Sequence, residues 1–239
     1  MIAWLTAFID GEQVATDFWT QVTAATLSPW RGDYDEFATL VPHTGDAFLR
    51  VQRSATPVRV HLDLHVADVR IACARAEALG ARQVADLGYL VMASPTGLPL
   101  CLVPWHGEST RPEETVFGSL VDQVCLDVDA ANFDRELGFW RDLSGWPVQV
   151  SPLPEFAALQ RPSELPLRLL VQRRDSDSGD TTAHLDIACV DRAAEVDRHL
   201  RLGATKVRST QWWTTLRDPA GLEYCLTDRD PITGVLAAG

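Results

Sequence analysis

The chain has 239 residues, 46% of them hydrophobic and 23% charged, with a net charge of -12; that is apolar material for two ordinary cores, without low-complexity bias. The acidic balance argues against nucleic acid and against anionic membrane, whose phosphates would be repelled. No run is long or apolar enough to span a bilayer, and Met1-Ile2-Ala3-Trp4 lacks the basic start of a signal peptide, so a cytoplasmic protein is expected.

Taken in order, residues 2–9 read as a first strand, and 12–25 as a helix carrying Val14, Phe18 and Val22 at helical spacing. Strands follow over 37–41 and 47–53, and after a short connector the pattern recurs: strand 58–66, helix 69–79, strands near 82–86, 89–93 and 98–104. Asp68 is the expected N-cap of its helix, which stops at Gly80-Ala81. Residues 104–114 carry two prolines and no periodicity, which marks a linker. Beyond it come strand 119–128, helix 131–143, and strands near 147–151, 155–160 and 167–173. The polar stretch 174–182 reads as a flexible loop, able to serve as a mobile cover. The last module is strand 183–190, helix 192–202 behind the N-cap Asp191, and strands near 205–209, 211–216 and 222–227. The five cysteines, with no C-x-x-C spacing, read as reduced core thiols. His43, His106 and His199 fall in loop, linker and helix-surface contexts and are assigned no role.

The two halves echo each other. VHLDLHVAD (60–68) lies over AHLDIACVD (183–191), and both His61 to His184 and Gly80 to Gly203 are shifts of 123. SPTGLPLCLV (94–103) lies over DPAGLEYCLT (218–227), with Cys101 to Cys225 a shift of 124. The chain is therefore a tandem duplication, with expected domains 1–108 (modules 1–53 and 58–108) and 115–239 (modules 115–174 and 182–239). In each echoed strand, alternation puts leucines and their like on one face and His61 with Asp63, or His184 with Asp186, on the other. Read on their own, these are hydrogen-bonded His–Asp pairs that orient the ring, or ligands of an ion.

Four strand-helix-strand-strand-strand modules, His61-x-x-Leu64-x-Val66-x-Asp68 with its counterpart at 184–191, and Asp218-Pro219-Ala220-Gly221 before the final strand resemble the vicinal oxygen chelate superfamily. The glyoxalase-like proteins of that superfamily are the narrower resemblance, covering nearly the whole chain. It implies an α+β fold in which paired modules form curved eight-stranded cups, with helices on the convex side and ligand in the concavity. It does not fix the reaction, because the fold hosts glyoxalases, ring-cleaving dioxygenases, epimerases, thiol transferases and drug-sequestering proteins. The family's metal-ligand positions fall on Trp4, Gln52, His61 and Pro99 or Cys101 in the first half. In the second half they fall on Gln123, Gln172, His184 and Glu223 or Cys225. The glutamate that the family places four residues after the motif glycine is Cys225 here, and Glu223 stands two residues earlier on the same face.

The expected working site is accordingly in the second half: His184 and Glu223 as acid/base or metal-linked groups, with Gln123, Gln172 and Asp186 beside them. A divalent ion held by Gln123, Gln172, His184 and Glu223 is weighed against no cofactor at all. Arg50, Gln52, His61 and Asp63 line the first cup; Arg50 either clamps an anionic group or pairs with Asp63 or a residue at the rim. Trp212 and Trp213 either wall a ligand or belong to the core. The function read from this is recognition of a small organic molecule, with lyase, isomerase or dioxygenase-type conversion. Metal-free sequestration of a drug or secondary metabolite, and a non-catalytic pseudoenzyme, are the alternatives. All four modules lie in one chain, so a monomer suffices, and a homodimer is compatible.

Overall fold

The computed structural model describes residues 1–151, 153–175 and 179–236. Its elements in the first half are β1 (Ile2–Gly11), α1 (Thr16–Thr23), β2 (Thr26–Leu27), β3 (Phe37–Val41), β4 (Leu49–Arg53), β5 (Arg59–Val66), α2 (Val69–Ala78), β6 (Arg82–Asp86), β7 (Leu90–Ala93) and β8 (Pro99–Pro104). In the second half they are β9 (Ser119–Asp129), α3 (Phe133–Ser144), β10 (Val148–Val150), β11 (Phe156–Leu159), β12 (Arg168–Arg174), β13 (Thr182–Cys189), α4 (Arg192–Arg201), β14 (Thr205–Ser209), β15 (Trp213–Arg217) and β16 (Glu223–Thr227). Two open eight-stranded mixed sheets result, ordered β2-β3-β4-β1-β5-β8-β7-β6 and β10-β11-β12-β9-β13-β16-β15-β14. Each sheet takes its strands from one half, and the two orders are the same. The loop expected at 174–182 includes residues 176–178, which lie outside the described residues. No helix is long and apolar enough to cross a membrane.

Local sequence explains most boundaries. Asp68 caps α2 by accepting from the Ile71 amide at 3.0 Å, and Asp191 caps α4 from the Ala194 amide at 3.0 Å. Gly80 and Gly203 follow these helices with φ of 99° and 105°, a left-handed conformation open to glycine without a Cβ penalty. Helix α1 is shorter than the periodicity suggests: Ala15 precedes it without a side-chain cap, and Ala24 ends it at φ 50°. The two-residue strand β2, not anticipated from the sequence, exists only by pairing with Val41 and Leu40 of β3. Strands β5 and β8 are parallel, as are β13 and β16, while β3–β4, β7–β8, β11–β12 and β15–β16 are antiparallel.

The chain divides into two compact units, one of residues 1–7, 61–109 and 124–183, the other of 8–60, 110–123 and 184–239. In the first unit, Glu136 of α3 is fully buried. It accepts from Trp140 Nε1 at 2.8 Å and from Thr96 Oγ1 at 2.6 Å, and Thr96 and Thr181 share a hydroxyl hydrogen bond. Arg75 of α2 donates to the carbonyl of Asp142. Replacing Trp140 with phenylalanine removes one donor from a buried carboxylate, and a loss of about 1–3 kcal/mol in urea unfolding is expected. Unchanged stability would mean that Thr96 and solvent suffice for Glu136.

The second unit is built around an aromatic cluster. Phe18 and Trp19 of α1 meet Tyr224 of β16 with ring centroids 6.0 and 5.2 Å apart, and Phe18 meets His199 of α4 at 5.9 Å. Trp19 Nε1 donates to Asp218 Oδ2 at 2.8 Å. The other oxygen of Asp218 accepts the amides of Ala220 and Leu222, which fixes the turn before β16. His199 is fully buried, whereas its place in the sequence suggests a helix surface. Glu195 and His199 stand one helical turn apart, so they share the face that α4 buries. His199 Nδ1 lies 2.9 Å from the Tyr224 hydroxyl.

Candidate functional site

Parallel registry builds the same cluster twice. Asp63 on β5 is paired with Cys101 on β8, and Asp186 on β13 with Cys225 on β16. His61 and His184 stand two residues before the aspartates, hence on the same face. In each half the His, Asp and Cys donor atoms lie within 4.8 Å of one another.

In the second unit, His184 Nε2 is 3.3 Å from Asp186 Oδ1. Asp186 Oδ2 accepts from Gln123 Nε2 at 2.6 Å and lies 3.6 Å from Arg229 Nη1. Arg229 in turn grips the fully buried Asp122 through Nη2 and Nε, at 2.5 and 3.2 Å. Cys225 Sγ is 3.5 Å from Thr215 Oγ1. Burial pushes the Asp186 pKa up, but the His184 hydrogen bond and charge, the Arg229 charge and the Gln123 amide outweigh it and hold the carboxyl below the usual carboxylate range.

The first unit carries the matching group. His61 Nε2 is 3.4 Å from Asp63 Oδ1, and the Cys101 thiol is pushed up by burial, with Asp63 adding to the shift and the His61 hydrogen bond opposing it. The position matching Gln123 is Trp4, completely buried. The same face of β5 continues to His65, which was not singled out although alternation reaches it. Its Nε2 is 2.9 Å from Thr6 Oγ1 and its Nδ1 3.5 Å from Glu108 Oε1.

The other residues expected at the sites are distributed as follows. Gln123, His184 and Asp186 come together. Gln172 of β12 is half-buried and accepts from the Cys125 thiol at 3.6 Å. Glu223 opens β16 at half exposure and pairs with Arg217 at 2.6 Å, outside the His184–Asp186–Cys225 cluster. Trp212 and Trp213 are half-buried at the start of β15, where Trp213 pairs with Thr227. Arg50 sets its guanidinium 5.7 Å from the Phe8 ring centre, and Gln52 is half-buried opposite Phe37 on β3. Arg229, Asp122 and Thr215 were not legible as site residues.

Asp186 Oδ1 is buried and accepts no well-aligned hydrogen bond, which leaves one carboxylate oxygen available as a ligand beside an imidazole and a thiol. Imidazole, carboxylate and thiolate suit a zinc-like ion; the two-histidine, one-carboxylate set of non-haem iron is not what this cluster offers.

A family model described as a glyoxalase-like domain matches residues 7–103 and again 123–227. The chain belongs to the glyoxalase-like domain family. Each matched stretch carries the His–Asp–Cys cluster of its parallel strand pair, so this glyoxalase-like chain holds its domain in two copies. A search of curated proteins finds no match. Among solved structures, a triple mutant of 4-hydroxymandelate synthase from Streptomyces coelicolor aligns with a TM-score of 0.63 at 14% identity, over 100% of this chain and 94% of the other. A Mn(II)-bound glyoxalase from Novosphingobium aromaticivorans aligns at 0.60 and 15% identity, over 92% of this chain and 80% of the other. A variant of homoprotocatechuate 2,3-dioxygenase from B. fuscum, in complex with HPCA, aligns at 0.63 and 15% identity, over 97% and 72%. At these identities the likeness is one of fold: the vicinal oxygen chelate arrangement that glyoxalase and extradiol dioxygenases share.

Proposed function

We propose that the glyoxalase-like chain binds a small organic molecule in its second half, at the face carrying His184, Asp186, Cys225 and Gln123. The observation that carries this reading is the asymmetry of the two copies. Both keep His, Asp and Cys; the second adds Gln123 and Arg229 around its aspartate, and the position matching Gln123 in the first is the buried Trp4. Ionised Asp186 orients the His184 ring, and the Gln123 amide is fixed by donating to Asp186, which turns its carbonyl oxygen toward other donors. His184 is then the group that takes or gives a proton when a bound carbonyl or hydroxyl compound reacts, as a lyase, isomerase or dioxygenase-type conversion requires.

His184 Nε2, Asp186 Oδ1 and Cys225 Sγ would hold a divalent ion if one is bound. Such an ion supplies Lewis acidity toward vicinal oxygen atoms of a ligand. The Mn(II)-bound glyoxalase among the structural neighbours supports this version. Metal-free sequestration of a drug-like or secondary metabolite is the second reading, favoured by Arg229, which already balances the buried carboxylates without an ion. A single chain contains every group named, so a monomer is a sufficient unit.

Titration of chelator-free protein with Zn(II) and with Mn(II), followed by calorimetry, separates the readings. One equivalent bound by the wild type, lost in His184→Ala and retained in His61→Ala, is the expected result for the metal-assisted site. Both variants should keep the far-UV spectrum, since neither ring belongs to the apolar face of its strand. Loss in His61→Ala with retention in His184→Ala would move the site to the first half. No bound ion in any of the three proteins would leave the sequestration reading.

A further inference from the structure

A cavity lies in the 8–60, 110–123 and 184–239 unit, and none of the His–Asp–Cys cluster lines it. It has a volume of 410 Å³ and is walled by Leu40, Phe48, Leu49, Leu120, Val121 and Ile187. That is within the range of roughly 300–1,000 Å³ typical of small-ligand pockets. Ile187 follows Asp186 on β13, so alternation points its side chain away from the one carrying Asp186. The two sites are thus served by opposite faces of one strand.

The rim has a charge. Glu113 and Glu114 line the cavity, both are exposed, and neither has an ion-pair partner among the described residues. Glu113 is placed by its own amide, which donates to Thr44 Oγ1 at 3.1 Å. The cation next to it in sequence, Arg111, is turned away and donates to the carbonyls of Pro231 and Ile232. His43 is the remaining titratable group at the rim. The Thr115 and Ser119 hydroxyls share a hydrogen bond at 3.1 Å. The segment 110–113 is held against the 44–46 loop by the Asp46 amide donating to the Thr110 carbonyl at 2.7 Å and by the Thr110 amide donating to Asp46 Oδ2 at 2.8 Å, so the acidic rim is tied to the apolar wall. We infer that this cavity is a separate binding site for a small apolar molecule bearing a single amine, with the hydrocarbon among Phe48, Leu120 and Ile187 and the ammonium at Glu113 and Glu114.

The test is calorimetry of the full chain with octylamine, octanol and octanoate. Octylamine should bind saturably at one equivalent, roughly fivefold to tenfold tighter than octanol, the size of effect expected of partly exposed charge pairing, with octanoate weakest. The double variant Glu113→Gln/Glu114→Gln, altered only at exposed side chains, should lose the preference for octylamine over octanol and still bind octanol. Ala25→Phe, which puts a ring at a half-buried position of the wall, should weaken both ligands, its fold being checked by circular dichroism. His184→Ala should bind octylamine as the wild type does. Equal binding of octanoate and octylamine, no saturable binding, or normal binding by Ala25→Phe would overturn the inference. Loss of octylamine binding in His184→Ala would place the amine in the other site and overturn it equally, whereas the metal titration reports on that other site alone.

Discussion

Replacing Arg229 with alanine is expected to destabilise the protein by about 3–5 kcal/mol, because it strips the counter-charge from buried carboxylates that cannot reach water. Asp122 is fully buried and receives both Nε and Nη2 of Arg229, and Asp186, 4% exposed, lies 3.6 Å from Nη1. One cation thus holds together the structural and the candidate ligand-binding aspartates. Urea unfolding checks the magnitude. Adding Asp122→Asn to Arg229→Ala should recover part of the loss, since a neutral amide is cheaper to leave buried than a charge. A loss below about 1 kcal/mol would show that the pair is no more than a solvated surface bridge.

Acid should unfold the protein in two stages, both driven from α4. His199 has its pKa lowered, first by burial and also by the Arg198 charge, against the pull of Glu195. A histidine with a depressed folded pKa binds its proton better when unfolded, so stability falls as pH drops below the usual histidine range near 6.5. Glu195 comes next. Burial works against its charge, but the bidentate Arg198 contact at 2.7 and 2.8 Å, His199 and Ser119 prevail and hold it at about 2. Measured from an ordinary value of 4.5, that depression corresponds to about 3 kcal/mol present at neutral pH and lost as pH falls from about 4.5 toward 2. Thermal unfolding followed from pH 7 to pH 3 should show both declines. Glu195→Gln should flatten the second decline while lowering stability at pH 7. An acid limb in Glu195→Gln as steep as that of the wild type would assign the effect to other carboxylates.

Much of the fold was legible because the duplication states each module twice. The caps Asp68 and Asp191, the echo strands and the His–Asp alternation all rest on local periodicity, which the chain obeys. Local rules stop short at three places in the site. Glu223 and Cys225 share a strand face, and only the start of β16, where Glu223 meets Arg217 at the solvent edge, leaves Cys225 beside Asp186. Arg229 stands beyond the last strand, and its role depends on Asp122, 107 residues away. His199 looks like a surface residue of a polar helix until Tyr224 and Phe18 pack over it. Each of these depends on a long-range contact that has no periodic signature in the sequence.

The unit that holds the aromatic cluster is assembled from the early segment 8–60, the middle segment 110–123 and the late segment 184–239. Trp19 finds its acceptor on Asp218, 199 residues further along, and Arg198 reaches back 177 residues to the carbonyl of Gln21. During synthesis at roughly 5–20 residues per second, helix α1 leaves the ribosome some 10–40 s before its partners exist. For that interval Phe18 and Trp19 lack the Tyr224 ring that packs on them in the folded unit. Vectorial folding, domain after domain from the amino terminus, is closed to this unit, and its closure must wait for the chain's last strand.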